Sequence, residues 1–445
     1  MTGNPNVFLL TIDALRADHL GYHGYERDTS PFLDSLADRA TRFSTAISAS
    51  SHTREAIPAL LTGRYPDVFA SQGYRRVTDT VADYLQTAGY ATAGFHSNPY
   101  VSRAYGFDSG FDTFDDDLRL GQNRITALIQ RALDKFLLNK GEYHARAETI
   151  NDRSLNWLNA VDEGPVFLWN HYMDPHGPYN PPDDYSYADS EISNNKAHDL
   201  YQKVINRPRE VTEEEKQLLL DCYDGEIRYL DECLKEFFDD LEHRGLFQDS
   251  LIIITADHGE AFGEHGFYTH PRQLYEYLIH VPLLISAPGE IEVEEHGAPV
   301  SSLDLVPSIL DSADIAPDGL PGKSLLREPD RDESTEDTIV YASATGENED
   351  DAIRRFTARK AQNKVIIERN IESGAIEKEV AYEIYHNQNE LDPCDPADIG
   401  AANLASQLRS FSESRLHSVT GKSVDDGVKP NSNEINERLE ALGYK

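Results

Sequence analysis

Apolar residues occur in short, nearly uninterrupted runs along much of the chain. The segments VFLLTI at Val7–Ile12 and LIII at Leu251–Ile254 are two such runs. A strand that is apolar at successive positions must be covered on both faces, as in the parallel sheets of α/β proteins. Similar runs at 165–172 and 281–288 therefore predict further buried strands.

Helical spacing of apolar residues separates these predicted strands. Residues 31–39 and 221–243 each carry apolar side chains on one helical face, and 301–315 predicts a further helix. A last helix is predicted at about 432–441. Strands that alternate with helices predict an α/β fold.

A charged stretch without a core pattern, 325–338, marks a boundary in the chain. We expect a large domain over 1–325, with helical insertions at about 115–160 and 183–220. A smaller α+β subdomain over 338–445 is expected to pack on it. Runs such as TIVYASAT and NKVIIERN predict antiparallel strands in this subdomain.

Acidic residues greatly outnumber basic ones. The sequence has 78 Asp and Glu against 41 Lys and Arg, a formal net charge of −37. Repulsion from this charge argues against nucleic acid and anionic membranes as partners, because both are polyanions. The acidity is spread along the chain rather than gathered in one tail, which is typical of proteins adapted to high salt. We therefore expect a halophilic cytosol.

Three cysteines, Cys222, Cys233 and Cys394, are too few for a disulfide framework. The first two lie in one predicted helix, where buried apolar positions suit them better than a bond. No signal-peptide pattern precedes VFLLTI, and no apolar stretch has the length needed to cross a bilayer. We expect a soluble, cytoplasmic protein without a membrane span.

Side chains that can bind metals follow the two most apolar strands. Asp13 ends the first strand, and a set of acids and histidines follows the second: Asp257, His258, Glu260, Glu264, His265 and His270. Interleaved glycines allow close approach to a ligand, and α/β sheets bind ligands beyond the carboxyl ends of their strands. The cluster indicates a metal site, although a solvated acidic loop, or a helix cap in the case of Asp13, would also fit.

A hydroxyl residue, Thr53, precedes a helical pattern that ends at Gly63. Threonine at such a position is commonly only a helix cap. The same helix terminus also offers N–H groups and the positive end of the helix dipole to an oxyanion. Arg54, beside it, could neutralise a phosphate or sulfate oxygen. Thr53 is therefore a candidate nucleophile, with the cap as the alternative.

Five separated motifs occur in one order: the strand with Asp13, TSPFLDSLADRATRFSTAIS, a hydroxyl residue ahead of LTGRYP, AGYATAGF, and DHGEAFGEHG. Together they resemble the sulfatase family of the alkaline phosphatase superfamily, from Val7 to about Leu310. The resemblance implies an alkaline-phosphatase-like α/β sandwich. Its central mixed, mostly parallel sheet would be flanked by helices, with a small C-terminal antiparallel sheet beside it.

The resemblance also implies one divalent metal ion held by Asp13, Thr53, Asp257 and His258, with Thr53 as the nucleophile touching that metal. In a two-metal alternative, Asp174, His176 and His270 would hold the second ion beside the first.

Family positions that contact the transferred group or protonate the leaving group match Asn98, His176 and His270. Taken alone, Asn98 could instead be a turn residue before Pro99, and His176 a loop histidine in a proline-rich turn.

Two positions depart from the family pattern. Sulfatases that use formylglycine have Cys or Ser as the nucleophile, followed by Pro and Arg, whereas Thr53 is followed by REAI. Threonine cannot give the required aldehyde, so its own hydroxyl is expected to attack. Ala14 stands where the family has another metal-binding carboxylate. Two carboxylates, a histidine and an alkoxide favour Mn²⁺ or Zn²⁺, with Ca²⁺ and Mg²⁺ as alternatives.

These features predict a metal-dependent hydrolase that acts through a covalent Thr53 intermediate. A phosphate monoester or diester is the favoured substrate over a sulfate ester, and it is expected to be an anionic small molecule or glycan ester. The alternatives are a phosphotransferase that uses an alcohol acceptor, and an anion-binding homologue that has lost turnover.

Overall fold

A computed structural model describes residues 4–70, 73–117, 144–161, 164–188, 192–288, 295–327, 338–346, 352–384 and 390–416. In chain order the strands are β1 (Asn6–Ile12), β2 (Thr41–Phe43), β3 (Ala46–Ile47), β4 (Ala91–Phe95), β5 (Thr113–Asp115), β6 (Val166–Tyr172), β7 (Ser250–Ala256), β8 (Ala261–Phe262), β9 (Tyr268–Thr269), β10 (His280–Val281), β11 (Leu283–Ser286), β12 (Glu295–His296), β13 (Val300–Ser301), β14 (Val340–Thr345), β15 (Ile353–Lys360), β16 (Asn363–Asn370) and β17 (Ile376–Glu383). The α-helices are α1 (Pro31–Ala37), α2 (Thr53–Thr62), α3 (Asp67–Ala70), α4 (Val81–Thr87), α5 (Ala147–Ala160), α6 (Asn194–Asn206), α7 (Glu213–His243), α8 (Glu276–Ile279), α9 (Leu305–Ser312) and α10 (Ala402–Leu416).

The central sheet has eight strands in the order β12-β2-β11-β7-β1-β6-β4-β5. β1 pairs in parallel with β7 on one side and with β6 on the other. β4 and β5 continue the parallel part, whereas β11 runs antiparallel to β7 and β2. Every residue of β6 and β7 is buried, and only Asn6 of β1 is not. This burial explains the unbroken apolar runs of the sequence.

Two groups of helices pack with this sheet. α1 and α5 both contact α7, while α2, α4 and α9 contact one another. α7 begins with a capping box, in which the Thr212 hydroxyl and the Glu215 carboxylate each accept the other residue's backbone N–H. The helix predicted over 221–243 is therefore present, but this cap starts it earlier, at Glu213.

The small C-terminal sheet consists of β14, β15, β16 and β17 in antiparallel, sequential order. One face packs on the apolar segment around α8, through residues such as Leu274 and Leu278. The other face is covered by α10, whose Leu404 and Leu408 contact the sheet. The C-terminal sheet thus packs on the segment that follows the predicted metal cluster.

The predicted fold class is confirmed by this mixed, mostly parallel sheet, its flanking helices and the antiparallel C-terminal sheet. α10 was not predicted, and the helix predicted at about 432–441 lies outside the described residues. Of the insertion at 115–160, the structure describes α5, which packs on β4 and β6. The insertion at 183–220 contains α6 and the start of α7, and the division into two domains stays a prediction. None of the helices described is long and apolar enough to cross a membrane.

Candidate active site

Three adjacent parallel strands bring Asp13 and Asp257 together. Asp13 follows β1 and Asp257 follows β7, and the last residues of these strands pair in register. The Asp13 N–H donates to the Tyr172 carbonyl at the end of β6 (2.8 Å), and the Asp257 N–H donates to the Ile12 carbonyl (3.2 Å). The carboxyl ends of β1, β6 and β7 therefore carry the site, as the topology of α/β sheets favours.

Asp13, Asp257 and His258 form a fully buried group whose potential ligand atoms all lie within 4.8 Å of one another. His258 Nε2 is 3.5 Å from Asp13 Oδ1 and 3.6 Å from Asp257 Oδ2. Asp257 Oδ2 has no hydrogen-bond partner in the described part of the chain. A buried carboxylate oxygen that lacks both a hydrogen-bond partner and a cation destabilises the folded protein. The donors of this group therefore fit one divalent metal ion.

The tautomer of His258 also suits a metal ligand. Its Nδ1 is 2.8 Å from the Gly259 carbonyl, which can only accept, so Nδ1 carries the proton. Nε2 then keeps its lone pair and points toward the two carboxylates. A second ring nitrogen bonded to a carbonyl is the usual way in which proteins orient a ligating histidine.

The two carboxylates strongly affect each other's protonation. Burial, together with the neighbouring Asp13 carboxylate, raises the pKa of Asp257 to about 6. Burial also raises the pKa of Asp13, but His176 and the other histidines nearby outweigh it and hold that pKa well below its ordinary value. Two carboxylates this close repel each other when both are ionised. A divalent cation between Asp13 and Asp257 would offset that repulsion.

Thr53 is the first residue of α2 and is fully buried. Its Oγ1 is 2.9 Å from His258 Nε2, and it lies 3.4 and 3.5 Å from the two Asp13 carboxylate oxygens. The predicted nucleophile therefore shares one buried site with the three predicted metal ligands. At this position the hydroxyl also lies beside the N–H groups of the first helical turn.

Asn98 joins this site from the loop after β4. Its Nδ2 donates to Asp13 Oδ2 at 2.9 Å, and its Oδ1 accepts the Tyr100 N–H at 3.0 Å. The second contact caps a short 3₁₀ helix, so the turn role considered for Asn98 is present as well. The amide is thus held with its donor side toward Asp13.

His176 and His270 lie close together next to the Thr53 side of the site. The ring of His270 is 4.9 Å from that of His176 and 4.9 Å from that of His258, measured between centroids. His270 Nδ1 is 3.3 Å from Glu260 Oε1, and the Tyr179 hydroxyl donates to Glu260 Oε2 at 2.8 Å. Burial raises the pKa of Glu260 to about 7.

The two histidines have different hydrogen-bonding environments. His176 Nδ1 is 2.7 Å from the Gly177 carbonyl and therefore carries a proton, and burial lowers the pKa of His176 to about 4. The ring is accordingly neutral, with Nε2 as its acceptor nitrogen. His270 instead has a carboxyl partner, which can stabilise a protonated ring.

Arg54 lies in the first turn of α2, with its guanidinium over aromatic rings. The guanidinium carbon is 4.0 Å from the centroid of Tyr74 and 5.5 Å from that of Tyr100, a cation–π arrangement. A second guanidinium, that of Arg272, lies 6.0 Å from the Tyr74 ring and binds the buried Glu55 at 2.7 Å. Two positive charges therefore flank Tyr74 near the helix terminus that carries Thr53.

Asp174 is not brought together with His176 and His270. Its Oδ1 lies 3.1 Å from Arg146 Nε and accepts the Ala147 N–H at 3.2 Å. Among the residues that the structure describes, the one group with metal-site geometry is that of Asp13, Asp257 and His258. The arrangement found does not assemble the second metal site considered from the sequence.

Sequence reasoning missed two histidines of the site. His171, inside β6 and fully buried, has Nε2 3.4 Å from Asp13 Oδ2 and Nδ1 3.0 Å from the Thr11 hydroxyl. Thr11 in turn accepts the Trp169 indole N–H at 2.9 Å. His52 directly precedes Thr53, and its Nδ1 accepts the Arg54 N–H at 3.2 Å. A histidine within the apolar strand FLWNHY was the available signal for His171.

Two members of the predicted cluster have other partners. Glu264 binds Arg16 at 2.7 Å, and the His265 ring stacks on Tyr275 with 3.9 Å between centroids. Both residues therefore shape the loop around the site rather than contribute to the metal group.

The sequence is also similar to those of known proteins. A sequence model of the family named Sulfatase matches residues 5–315. The chain is 26% identical over 365 residues to a choline-sulfatase of Rhizobium meliloti (strain 1021), covering 71% of this chain and 69% of that protein.

Two solved structures have a similar fold. The phosphonate monoester hydrolase of Agrobacterium radiobacter superposes with a TM-score of 0.71 at 18% identity, covering 92% of this chain and 96% of that one. A protein solved in complex with its substrate, D-glucosamine-2-N,6-O-disulfate, superposes with a TM-score of 0.69 at 18% identity, covering 93% and 98%. At these identities the likeness concerns the fold.

Proposed function

This chain belongs to the sulfatase family of ester hydrolases, and from that premise we propose that it cleaves a phosphate ester with Thr53 as the nucleophile. The observation that carries the proposal is the buried Thr53 hydroxyl, 2.9 Å from His258 Nε2 and beside both Asp13 oxygens. A threonine cannot be oxidised to the aldehyde of formylglycine, so its own oxygen must attack. A hydroxyl nucleophile of this kind suits phosphoryl transfer.

The proposed metal ligands are Asp13, Asp257, His258 and the Thr53 oxygen. When bound, a divalent cation such as Mn²⁺ or Zn²⁺ would lower the pKa of the Thr53 hydroxyl and withdraw charge from the transferred group. Ca²⁺ and Mg²⁺ remain alternatives in the same oxygen-rich group.

In the first step the Thr53 hydroxyl loses its proton to solvent water, and its oxygen bonds to phosphorus while the bond from phosphorus to the leaving oxygen breaks. The N-terminal N–H groups of α2 stabilise the oxygens of the transferred group, and Asn98 and Arg54 supply further donors. Asn98 is held by its bond to Asp13, and Arg54 by the Tyr74 and Tyr100 rings. The product of this step is a phosphothreonine and a departing alkoxide.

The two histidines take different roles in this proposal. His270, whose Nδ1 faces the Glu260 carboxyl at 3.3 Å, gives a proton to the leaving oxygen. His176 is neutral with Nε2 as the acceptor, so it takes a proton from the water that attacks phosphothreonine. The water oxygen bonds to phosphorus while the bond from phosphorus to the Thr53 oxygen breaks, and phosphate is released. Exchange with solvent then returns a proton to the Thr53 oxygen and to His270 and removes the proton from His176.

Sulfate ester hydrolysis is the second candidate. It is supported by the match to the choline-sulfatase over most of both chains. The same attack by Thr53 would then give a sulfothreonine. Under either reaction we propose an anionic small molecule or glycan ester as the substrate and a saline cytoplasm as the setting, the latter supported by the net charge of −37.

The proposal is tested by assaying an aryl phosphate monoester, a phosphodiester and an aryl sulfate side by side, with Mn²⁺ at high KCl. We expect faster turnover of a phosphate ester than of the sulfate. Thr53→Ala should lower kcat by at least about a thousandfold, whereas Thr53→Ser, which keeps a hydroxyl, should retain activity. Faster sulfate turnover would overturn the phosphate preference, and an unchanged rate for Thr53→Ala would overturn the nucleophile.

A further inference from the structure

A cavity of about 420 Å³ lies between an edge of the central sheet and the C-terminal sheet. The residues that matter here are Arg42 of β2, Glu276 of α8, Arg359 of β15, and the histidines His23 and His280. None of its lining residues belongs to the metal group or to the histidines around Thr53. α8 lies between the two sites, because its Leu278 carbonyl accepts the N–H of Gly259, next to His258, at 2.8 Å.

Arg359 is the main polar group of this cavity and is almost completely buried, with 5% of its surface exposed. Its Nε donates to Glu276 at 3.4 Å. Its Nη1 is buried and has no hydrogen-bond partner within the described ranges. A guanidinium offers five N–H donors, and leaving a buried charged donor unsatisfied is costly. The cavity therefore contains a positive donor that an acceptor would stabilise.

The charges around Arg359 favour an acceptor that is itself negative. Glu276 is shared with the fully buried Lys364, whose Nζ lies 2.9 Å from it and 2.8 Å from Glu390. Burial raises the pKa of Glu390 to about 7 and so weakens its contribution of negative charge. Arg42 adds a second cation to the cavity lining, where Glu295 pairs with it at 2.9 Å.

Two imidazole side chains, those of His23 and His280, also line the cavity. His23 Nε2 is buried and lacks a hydrogen-bond partner among the described residues, and its ring meets that of His280 edge to face at 5.6 Å. His280 Nε2 donates to the Ser44 carbonyl at 3.0 Å. Two polar atoms that lack partners among the described residues, on Arg359 and His23, thus belong to side chains of one cavity.

We propose that this cavity binds a small molecule carrying an oxyanion group, whose oxygens accept hydrogen bonds from the guanidinium groups of Arg359 and Arg42. The volume exceeds what a bare phosphate ion fills, so the natural ligand has an organic part that contacts the His23 and His280 rings. The site is separate from the one at which the ester is cleaved.

Calorimetric titration of the metal-loaded, full-length protein with inorganic phosphate tests this inference. We expect two bound phosphates per chain, one at the Thr53 site and one in the cavity. Arg359→Gln should lose one of them, and Arg42→Gln, a change at a half-buried residue, should weaken the same one by about tenfold to a hundredfold. Phosphonoacetate, which has a non-hydrolysable organic part, should bind the cavity more tightly than phosphate does.

Arg369→Gln is the matched control, because Arg369 is equally buried in β16 but does not line the cavity. It should leave both binding events unchanged. If the proposed ester hydrolysis is wrong but the cavity inference is right, the wild type binds one phosphate and Arg359→Gln binds none. The inference is overturned if Arg359→Gln and Arg42→Gln bind phosphate with the same number and affinity as the wild type.

Discussion

His171 shows how a single residue can orient the proposed metal site. Its ring lies between the Thr11 hydroxyl, at 3.0 Å, and the Asp13 carboxylate, at 3.4 Å. We expect His171→Phe to reduce affinity for Mn²⁺ or Zn²⁺ by about tenfold to a hundredfold, because partners of ligating carboxylates typically contribute that much. Competition with a chelator measures the affinity, and circular dichroism checks the fold.

Thr11→Val is the matched control for His171, because it removes the hydroxyl that contacts Trp169, His171 and the Asn170 carbonyl but leaves the His171 ring beside Asp13. It should reduce metal affinity less than His171→Phe does. Equal metal affinity in the wild type and His171→Phe would show that the ring has no role in holding Asp13.

His23 predicts a pH dependence of stability. Burial lowers its pKa from the ordinary 6.5 to about 3. Between these two pH values His23 is protonated in the unfolded chain but not in the folded chain. The contribution of His23 to the free energy of unfolding is therefore fully present above pH 6.5, and the protein loses stability as the pH falls toward 3. Denaturant unfolding over this range should show a smaller loss for His23→Gln than for the wild type. Parallel pH profiles for the two proteins would contradict the assignment.

The residues found from the sequence share one physical signal. Asp13 and Asp257 each follow an unbroken apolar run, which predicts a buried strand, and the parallel pairing of these strands brings the two side chains together. Neither His171 nor His52 directly follows an apolar run, and the one sign of His171 was a histidine inside the apolar strand FLWNHY. The first lies within a strand, where side chains alternate between faces, and the position of the second depends on how α2 docks. Contacts that form only when a helix docks on the sheet belong to the tertiary structure and are not visible in the local sequence pattern.

At the scale of elements, the C-terminal sheet is joined to α8 by buried charges. Lys364 of β16 lies 2.9 Å from Glu276 of α8 and is fully buried. Lys364→Met would leave the Glu276 and Glu390 carboxylates close together with less compensating charge. We expect a loss of about 3–5 kcal/mol in the free energy of unfolding, measured by denaturant titration. Lys378→Met, on the exposed surface of β17, should change it by less than about 0.5 kcal/mol.

If Lys364→Met and Lys378→Met have a comparable free energy of unfolding, the ion pairs of Lys364 with Glu276 and Glu390 do not hold the C-terminal sheet to α8.

The predictability of each element follows its hydrophobic pattern. β1, β6 and β7 were predicted because burial on both faces requires apolar residues at every position. α10 was missed, since its sequence, ANLASQLRSFSESRL, buries only a narrow stripe against the small sheet and is otherwise polar. Such a helix depends on the sheet that it covers, which the sequence alone does not position.

For the whole molecule, the net charge of −37 predicts a salt dependence of substrate binding. An anionic substrate is repelled at low salt, and screening shortens from about 10 Å at 0.1 M to about 3 Å at 1 M. We expect the KM for an anionic aryl phosphate to fall as KCl rises over this range. An aryl phosphocholine, which has no net charge, is the control and should show little change. Identical salt profiles for the two substrates would contradict the electrostatic explanation.

The central claim is that the Thr53 oxygen becomes covalently bonded to the transferred group. Rapid acid quenching during turnover of an aryl phosphate, followed by proteolysis and mass spectrometry, tests it most directly. The account predicts a phosphoryl group on Thr53, absent from Thr53→Ala and from unreacted protein. Steady turnover without any modified Thr53, at a rate that Thr53→Ala matches, would contradict it.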